Sequence, residues 1–268
     1  MSPDAKRILV VTGASSGMGR EFLKQIEKQE SAEEIWVIAR RAEALEALRS
    51  EVKTPLVCLP LDLSDPASWE VYRERLEAEK PCIRVLANCA GYGFFDHTEN
   101  LDAKQLTNMI SLNCAAVVAM TQYSLPYFPQ GGKIMNISSC ASFQPIPYIN
   151  DYAATKAFVT SYSRALSREL AYRKVRVLAI TPFWTKTAFF DRAIAKDRKE
   201  VVIKYAAMYD PAKVMAKAIH DLYRTKKDIS CYGFVNNAQR VLVRLLPVSL
   251  VMKIWMGQQK LNGTPQIR

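Results

Sequence analysis

Ile8-Leu9-Val10-Val11-Thr12-Gly13-Ala14-Ser15-Ser16-Gly17-Met18-Gly19 decides the fold of this chain. The apolar run Ile8 to Thr12 reads as a strand, and Gly19 to Gln29 reads as a helix. A strand that feeds a helix through a turn of small residues makes an anion site. The first N–H groups of the helix lack partners within it, and its dipole favours negative charge. Gly13 permits the tight turn, and Gly17 and Gly19 let the backbone close on a pyrophosphate. Ser15, Ser16 and Met18 complete the candidate cradle.

Outward from this turn the pattern repeats. Strand readings fall at Ile35 to Ala39, Leu56 to Leu61, Val85 to Asn88, Lys133 to Ile137 and Val175 to Thr181. Helical readings fall between them, at Ala42 to Val52, Asp65 to Glu79 (with Ser64 as N-cap), Ala103 to Tyr127 and Tyr152 to Arg173. In the first of these, Leu45 and Leu48 share a face. Strict alternation of this kind predicts an α/β fold, a doubly wound parallel sheet with helices on both faces. Ligands on such sheets sit at the carboxyl ends of the strands. No linker or repeat interrupts the pattern, so residues 1–268 are expected to form one domain. After Pro182 the alternation fails. Residues 185–210 read as a helical lid, Asp210 to Tyr223 as a helix and Ser230 to Phe234 as a last strand. Residues 236–268 read as a C-terminal extension.

Six cysteines without a CxxC pair, and two histidines (His97 and His220), argue against a zinc site and suit thiols in a reducing cytoplasm. The N-terminus lacks a secretory pattern, and no apolar run nears the ~20 residues of a membrane span. The expected location is cytoplasmic. The net charge of +11 is unevenly placed. Residues 1–185 hold 21 Lys+Arg against 20 Asp+Glu, whereas residues 186–268 hold 16 against 6. That excess suits a solvated basic face, an anionic substrate or weak contact with a membrane surface. Nucleic acid is not expected, because no nucleic-acid motif accompanies the charge.

Tyr152 and Lys156 stand four apart on a predicted helix and therefore share a face. A free tyrosine titrates near ~10 and is a poor base at neutral pH. A lysine cation beside it favours the phenolate, so such a pair can exchange protons in both directions. Arg40 and Arg41 stand where the second strand ends, a position at which NAD-binding folds place an acid for the ribose 2′-hydroxyl. A guanidinium fork instead matches a 2′-phosphate. The expected cofactor is NADP(H), with Arg40 favoured.

The spacing Gly13-x3-Gly17-x-Gly19, followed by Tyr152-x3-Lys156, resembles the short-chain dehydrogenase/reductase family over residues 6–187. The resemblance implies a catalytic tetrad of Asn113, Ser139, Tyr152 and Lys156. In it Ser139 donates to the substrate oxygen, Lys156 also binds the nicotinamide ribose, and Asn113 holds a relay water. It further implies cofactor contacts from Asp62 and Leu63, from Asn88, Ala90 and Gly91, and from Pro182, Thr185 and Thr187. Two positions depart from the family's pattern: Cys89 replaces an Asn, and Phe183 replaces a Gly. The implied activity interconverts a carbonyl and an alcohol.

Apolar and aromatic residues near these positions suggest a hydrophobic substrate, steroid-like, bile-acid-like or acyl. The candidate walls are Phe94, Tyr148, Trp184 and Phe189, with Phe95, Phe143, Ile146 and Phe190. The apolar segment Arg240 to Met256, broken by Pro247, suits a packed or subunit contact, a membrane surface or a flap over the site. A homo-oligomer, dimer or tetramer, is expected. Two other functions remain open: a catalytically silent NADP(H) sensor on the same fold, and a sugar-nucleotide epimerase. The latter's usual Gly-x-x-Gly-x-x-Gly loop disagrees with the spacing here.

Overall fold

Strands β1 (Arg7–Thr12), β2 (Glu34–Ala39), β3 (Leu56–Pro60), β4 (Cys82–Asn88), β5 (Lys133–Ile137), β6 (Arg176–Ile180) and β7 (Ile229–Ser230) form one parallel sheet. Their order is β3-β2-β1-β4-β5-β6-β7. The computed structural model describes residues 5–187, 189, 193 and 207–260. The order reverses between β1 and β4, so the loops leaving these two strands open a crevice at the sheet's carboxyl edge. Register holds that edge level: Thr12 lies beside Ile38 on β2 and Asn88 on β4, and Asn88 beside Asn136 on β5.

The strands are apolar at almost every position because both faces are covered. Successive side chains point to opposite faces. Leu9, Val11, Ile35, Val37, Val85 and Ala87 meet helices α1 (Gly17–Ile26) and α7 (Pro211–Arg224) through Phe22, Leu23, Met215 and Leu222. Ile8, Val10, Trp36, Ile38 and Leu86 meet α3 (Pro66–Glu79), α5 (Ala116–Ser124) and α6 (Asn150–Glu169). Each fully buried Ile or Leu contributes about 1.5–3 kcal/mol by leaving water.

Several boundaries differ from the sequence reading. The first helix starts at Gly17, within the glycine turn. Helix α2 (Ala42–Glu46) ends early in a tight turn, Ala47–Ser50, which still buries both Leu45 and Leu48. Asp65, not Ser64, caps α3 by accepting the Ala67 N–H at 3.0 Å. Ser64 instead donates to Asp62. The helix expected over 103–127 is α4 (Ala103–Ile110), a π-helical turn (Ser111–Ala115), α5 and a short 3-10 turn. The last strand is only Ile229–Ser230. Gly233, with φ +88°, turns the chain into helix α8 (Phe234–Leu245), and Pro247 begins α9 (Val248–Gln258). Most of the expected lid, with Phe190, lies outside the described residues.

Candidate active site

The crevice between the β1 and β4 loops continues into a cleft of about 1590 Å³. Its first end is the glycine turn. Gly13 and Gly17 have φ of +64° and +53°, a region that side chains disfavour. A Cβ on Gly13 would come within 2.7 Å of the Ala90 nitrogen, so this glycine lets the two loops touch. A Cβ on Gly19 would come within 2.4 Å of the Gly13 carbonyl, so Gly19 seats the helix on the loop. Gly19 does not itself line the cleft. Ser16 makes no side-chain cap on α1, and the N–H groups that open a helix attract an anion.

Thr12 ties the two loops together: its Oγ1 accepts the N–H groups of Cys89 at 3.0 Å and Ala90 at 3.1 Å. Asn88 stands behind the cleft and donates to Asn136 at 2.9 Å. Asn136 donates in turn to Ser163 on α6 at 2.9 Å. Cys89 packs against the apolar core, and burial pushes its thiol up to about 12. A thiol therefore fits where the family's Asn would need partners.

At the β2 end Arg40 and Arg41 are exposed and line the cleft, and neither pairs with a carboxylate among the described residues. Asp62 accepts the N–H of Ser64 at 3.0 Å and its hydroxyl at 2.7 Å, which fixes the turn that brings Leu63 to the cleft wall. On the opposite side lie Pro182, Thr185 and Thr187. Pro182 accepts the Cys140 N–H at 2.9 Å, and the Thr187 side chain sits 3.7 Å from where a Gly17 Cβ would be. The glycine turn, the helix terminus without a Ser16 cap and the two exposed guanidinium groups together fit a phosphorylated dinucleotide.

The cleft floor holds Ser139, Tyr152 and Lys156. Tyr152 and Lys156 project from the first turns of α6, and Ser139 follows β5. Lys156 is buried, its Nζ donating to the Ile137 carbonyl at 2.9 Å and lying 5.7 Å from the Tyr152 ring centre. Burial lowers the Lys156 ammonium to about 8. Burial also pushes the Tyr152 hydroxyl well above its ordinary value, and the neighbouring Ser139 hydroxyl only partly offsets this. Ser139 Oγ accepts the Ala141 N–H at 3.1 Å and makes one long contact as a donor, to Cys140 Sγ at 3.9 Å.

Asn113 is fully buried behind this floor. Its Nδ2 donates to the Tyr92 carbonyl at 2.8 Å and to Thr155 Oγ1 at 3.0 Å, while its Oδ1 accepts the Tyr92 N–H at 3.1 Å. The π turn gives the helix the extra residue that rotates this side chain inward. A Cβ on Gly91 would come within 2.9 Å of Asn113 Oδ1 and 3.2 Å of Lys156 Nζ. Asn113, Gly91 and Lys156 therefore meet at one point.

The remaining arm is apolar. Phe94, Phe95, Ile146, Trp184 and Phe189 line it. Phe189 packs 5.3 Å from the Tyr152 ring, and Phe95 packs 6.0 Å from Trp184. Tyr148 does not line the cleft; it has φ +68° and its ring meets His97 at 4.7 Å. Phe143 instead packs beside Ala179 and Cys231. Phe183 does line the cleft, edge-on to Trp184 and Tyr209.

Three contributors escaped the sequence reading. Thr12 is one. Thr155 is a second: it joins Asn113 to the Tyr152 carbonyl, donating at 2.8 Å. Gly93 is a third, because a Cβ there would come within 2.6 Å of the Tyr152 ring. Its place two residues after Gly91 was the available signal. The segment Arg240 to Met256, for which the sequence left a flap among its readings, falls in the hairpin of α8 and α9, which supplies Gln239, Leu242, Leu246, Val251, Ile254 and Trp255 to the wall. Trp255 stacks on Trp184 at 6.4 Å and donates to the Pro147 carbonyl at 3.1 Å.

Among the described residues no group of His, Cys, Asp and Glu is placed to hold a metal, and no helix is long and apolar enough to cross a membrane. The family model of short chain dehydrogenases matches residues 7–198. The chain belongs to this family and is an oxidoreductase of its kind. A probable short-chain type dehydrogenase/reductase of Helicobacter pylori is 29% identical over 228 residues, 82% of this chain and 80% of its own. A very-long-chain 3-oxoacyl-CoA reductase of Danio rerio is 29% identical over 272 residues, 97% of this chain and 80% of its own. A short-chain dehydrogenase from Sphingobium yanoikuyae, solved in complex with NADPH, superposes with a TM-score of 0.74 at 25% identity. That superposition covers 90% of this chain and 96% of the other.

Proposed function

We propose that this chain is an NADP(H)-dependent carbonyl reductase, working reversibly on a hydrophobic ketone or aldehyde. The observation that carries this reading is the convergence of Ser139, Tyr152 and Lys156 on the floor of one cleft. That cleft runs from the glycine turn and Arg40 to an apolar arm. A bound nicotinamide dinucleotide would supply or accept the hydride at the substrate carbon. The residues of the chain handle its placement and the proton.

The α1 terminus and the glycine turn take the pyrophosphate, and Arg40, supported by Arg41, takes the 2′-phosphate. Thr185 and Thr187 face the nicotinamide end. Lys156 holds the ribose hydroxyls as a cation. Tyr152 stays a phenol at neutral pH, because burial holds its titration high. As a phenol it is an acid, so it gives its proton to the carbonyl oxygen as the carbon gains hydride. Ser139 donates a hydrogen bond to that same oxygen, where negative charge develops. Tyr152 is reprotonated through Lys156 and a water held beside Asn113. In oxidation the same atoms run in reverse. The protein is expected to work as one domain.

The test is oxidation of NADPH and NADH against a panel of steroid, bile-acid, acyl and small aromatic ketones. Turnover with NADPH and much less with NADH is the expected result. Tight NADPH binding without turnover of any ketone, or oxidation of any alcohol, would overturn the enzyme reading in favour of a cofactor sensor.

A further inference from the structure

Most of the exposed large apolar side chains lie in one place. Of thirteen among the described residues, eight fall between Phe234 and Ile254. The stripe Phe234, Ala238, Val241, Leu245 has spacing i, i+4, i+7, i+11, a single face of α8. Phe234 is 86% exposed and Leu245 is 75% exposed. Val248 and Leu250 continue the apolar surface past Pro247 onto α9, and both are exposed. A second stripe, Val235, Gln239 and Leu242 of α8 with Leu246 at its C-cap, lines the cleft. The helix thus has two working faces about a third of a turn apart, one toward the cleft and one outward. It is pinned by buried Asn236, which donates to the Thr181 carbonyl at 2.7 Å, and α9 is pinned by Trp255.

The charge around this surface has one sign. Residues 229–260 contain Arg240, Arg244, Lys253 and Lys260 and no Asp or Glu. Arg244, Lys253 and Lys260 are exposed, and none of the four makes an ion pair among the described residues. A second copy docking here about a twofold axis would set cations against cations with no acid to answer them. Apolar residues that carry a rim of unpaired cations instead suit a surface that is apolar within and anionic at its edge.

We propose that the outward face of the α8–α9 hairpin docks on an anionic lipid bilayer, and that the cleft mouth beside it takes its substrate from that bilayer. The apolar stripe enters the boundary between headgroups and chains, while Arg244 and Lys253 meet lipid phosphates. Leu242 belongs to both surfaces, being half-exposed and also part of the cleft wall. A hydrophobic carbonyl compound dissolved in the bilayer would reach Trp184 and Tyr152 along an apolar path. Substrate delivery rests on the reductase reading above; docking does not, and it is measured without turnover.

The experiment is flotation of the full chain with vesicles of phosphatidylglycerol mixed with phosphatidylcholine, against vesicles of phosphatidylcholine alone. The expected result is flotation with the anionic vesicles, weakened by added salt. The double variant Arg244→Gln/Lys253→Gln should lower the partition coefficient by about fivefold for each cation removed. Leu245→Asp/Val248→Asp should abolish flotation. Both variants should keep wild-type NADPH binding and wild-type turnover of a water-soluble ketone, since none of these residues lines the cleft. A chain left at the bottom of the gradient with anionic vesicles would overturn the proposal. So would equal flotation on both vesicle types. A dimer in sedimentation that Leu245→Asp/Val248→Asp dissociates would assign the face to a second copy instead.

Discussion

The loops leaving β1 and β4 and the hairpin of α8 and α9 line the same cleft by opposite means. The loops are held by close backbone approach and by directed hydrogen bonds. Gly13 lies against Ala90, Thr12 grips two N–H groups, and Asn88 joins Asn136 and Ser163 in a chain across the sheet. The hairpin is held by scattered polar bonds, from Asn236, Gln239, Arg240 and Trp255, and for the rest by apolar contact. The first kind of wall tolerates almost no change in shape, because a glycine Cβ or a misplaced donor has nowhere to go. The second tolerates change, because apolar contact is non-directional. Under the proposed function, cofactor placement would fall to the rigid wall and substrate selection to the adaptable one, with the proton chemistry on α6 and the turn after β5 between them.

The sharpest way to break this contrast is Gly93→Ala. The added methyl would sit 2.6 Å from the Tyr152 ring and push it from its position. A shift of this size at a reacting group costs about a hundredfold in kcat. NADPH binding should barely change, which titration by cofactor fluorescence would check. Next in size is Arg40→Ala. Loss of a charge-assisted contact to the 2′-phosphate should raise KM for NADPH about tenfold to a hundredfold, at about 1.5–3 kcal/mol for such a bond. KM for NADH should stay near wild type. Equal effects on the two cofactors would remove Arg40 from 2′-phosphate recognition.

On the adaptable wall, Trp255→Ala should raise KM for a bulky apolar ketone about tenfold, from lost apolar contact. A small ketone should be unaffected, since the phenol and its neighbours are undisturbed. A loss of kcat for both would show that the hairpin also positions the chemistry. The smallest effect is graded with pH. Lys156 titrates at about 8, so it is a cation below that value and neutral above it. The reductive kcat/KM should therefore hold steady at low pH and fall as pH rises through about 8, by up to about tenfold per unit. Lys156→Arg should move that limb upward, because guanidinium stays charged. An unmoved limb would assign it to another group.

The contrast also explains what the sequence could and could not say. Gly13, Arg40, Ser139, Tyr152 and Lys156 are legible as candidates because the proposed chemistry demands particular residue types at fixed spacing. The same holds for the parallel sheet, which follows from apolar runs alternating with amphipathic stretches. The π turn at Ser111–Ala115 leaves no trace in periodicity, since it adds one residue to an otherwise ordinary helix. Thr155 and Gly93 matter only through neighbours distant in the chain. Ser230 to Phe234 reads as strand by composition, but Gly233 turns the backbone and Phe234 starts a helix. Tyr148 looks like a wall residue by type alone, whereas its left-handed backbone swings the ring toward His97. For Arg240 to Met256 the sequence left a packed contact, a membrane surface and a flap open. An apolar helix with two working faces satisfies more than one of them at once.

The most direct test of the account is Tyr152→Phe, with NADPH affinity and turnover measured on the same preparation. Removing one hydroxyl leaves the ring packed against Phe95 and Phe189. NADPH should bind as in the wild type, and carbonyl reduction should fall by about a thousandfold or more, the range of a lost proton donor. Turnover within a few fold of wild type would contradict the assignment of Tyr152 as the acid.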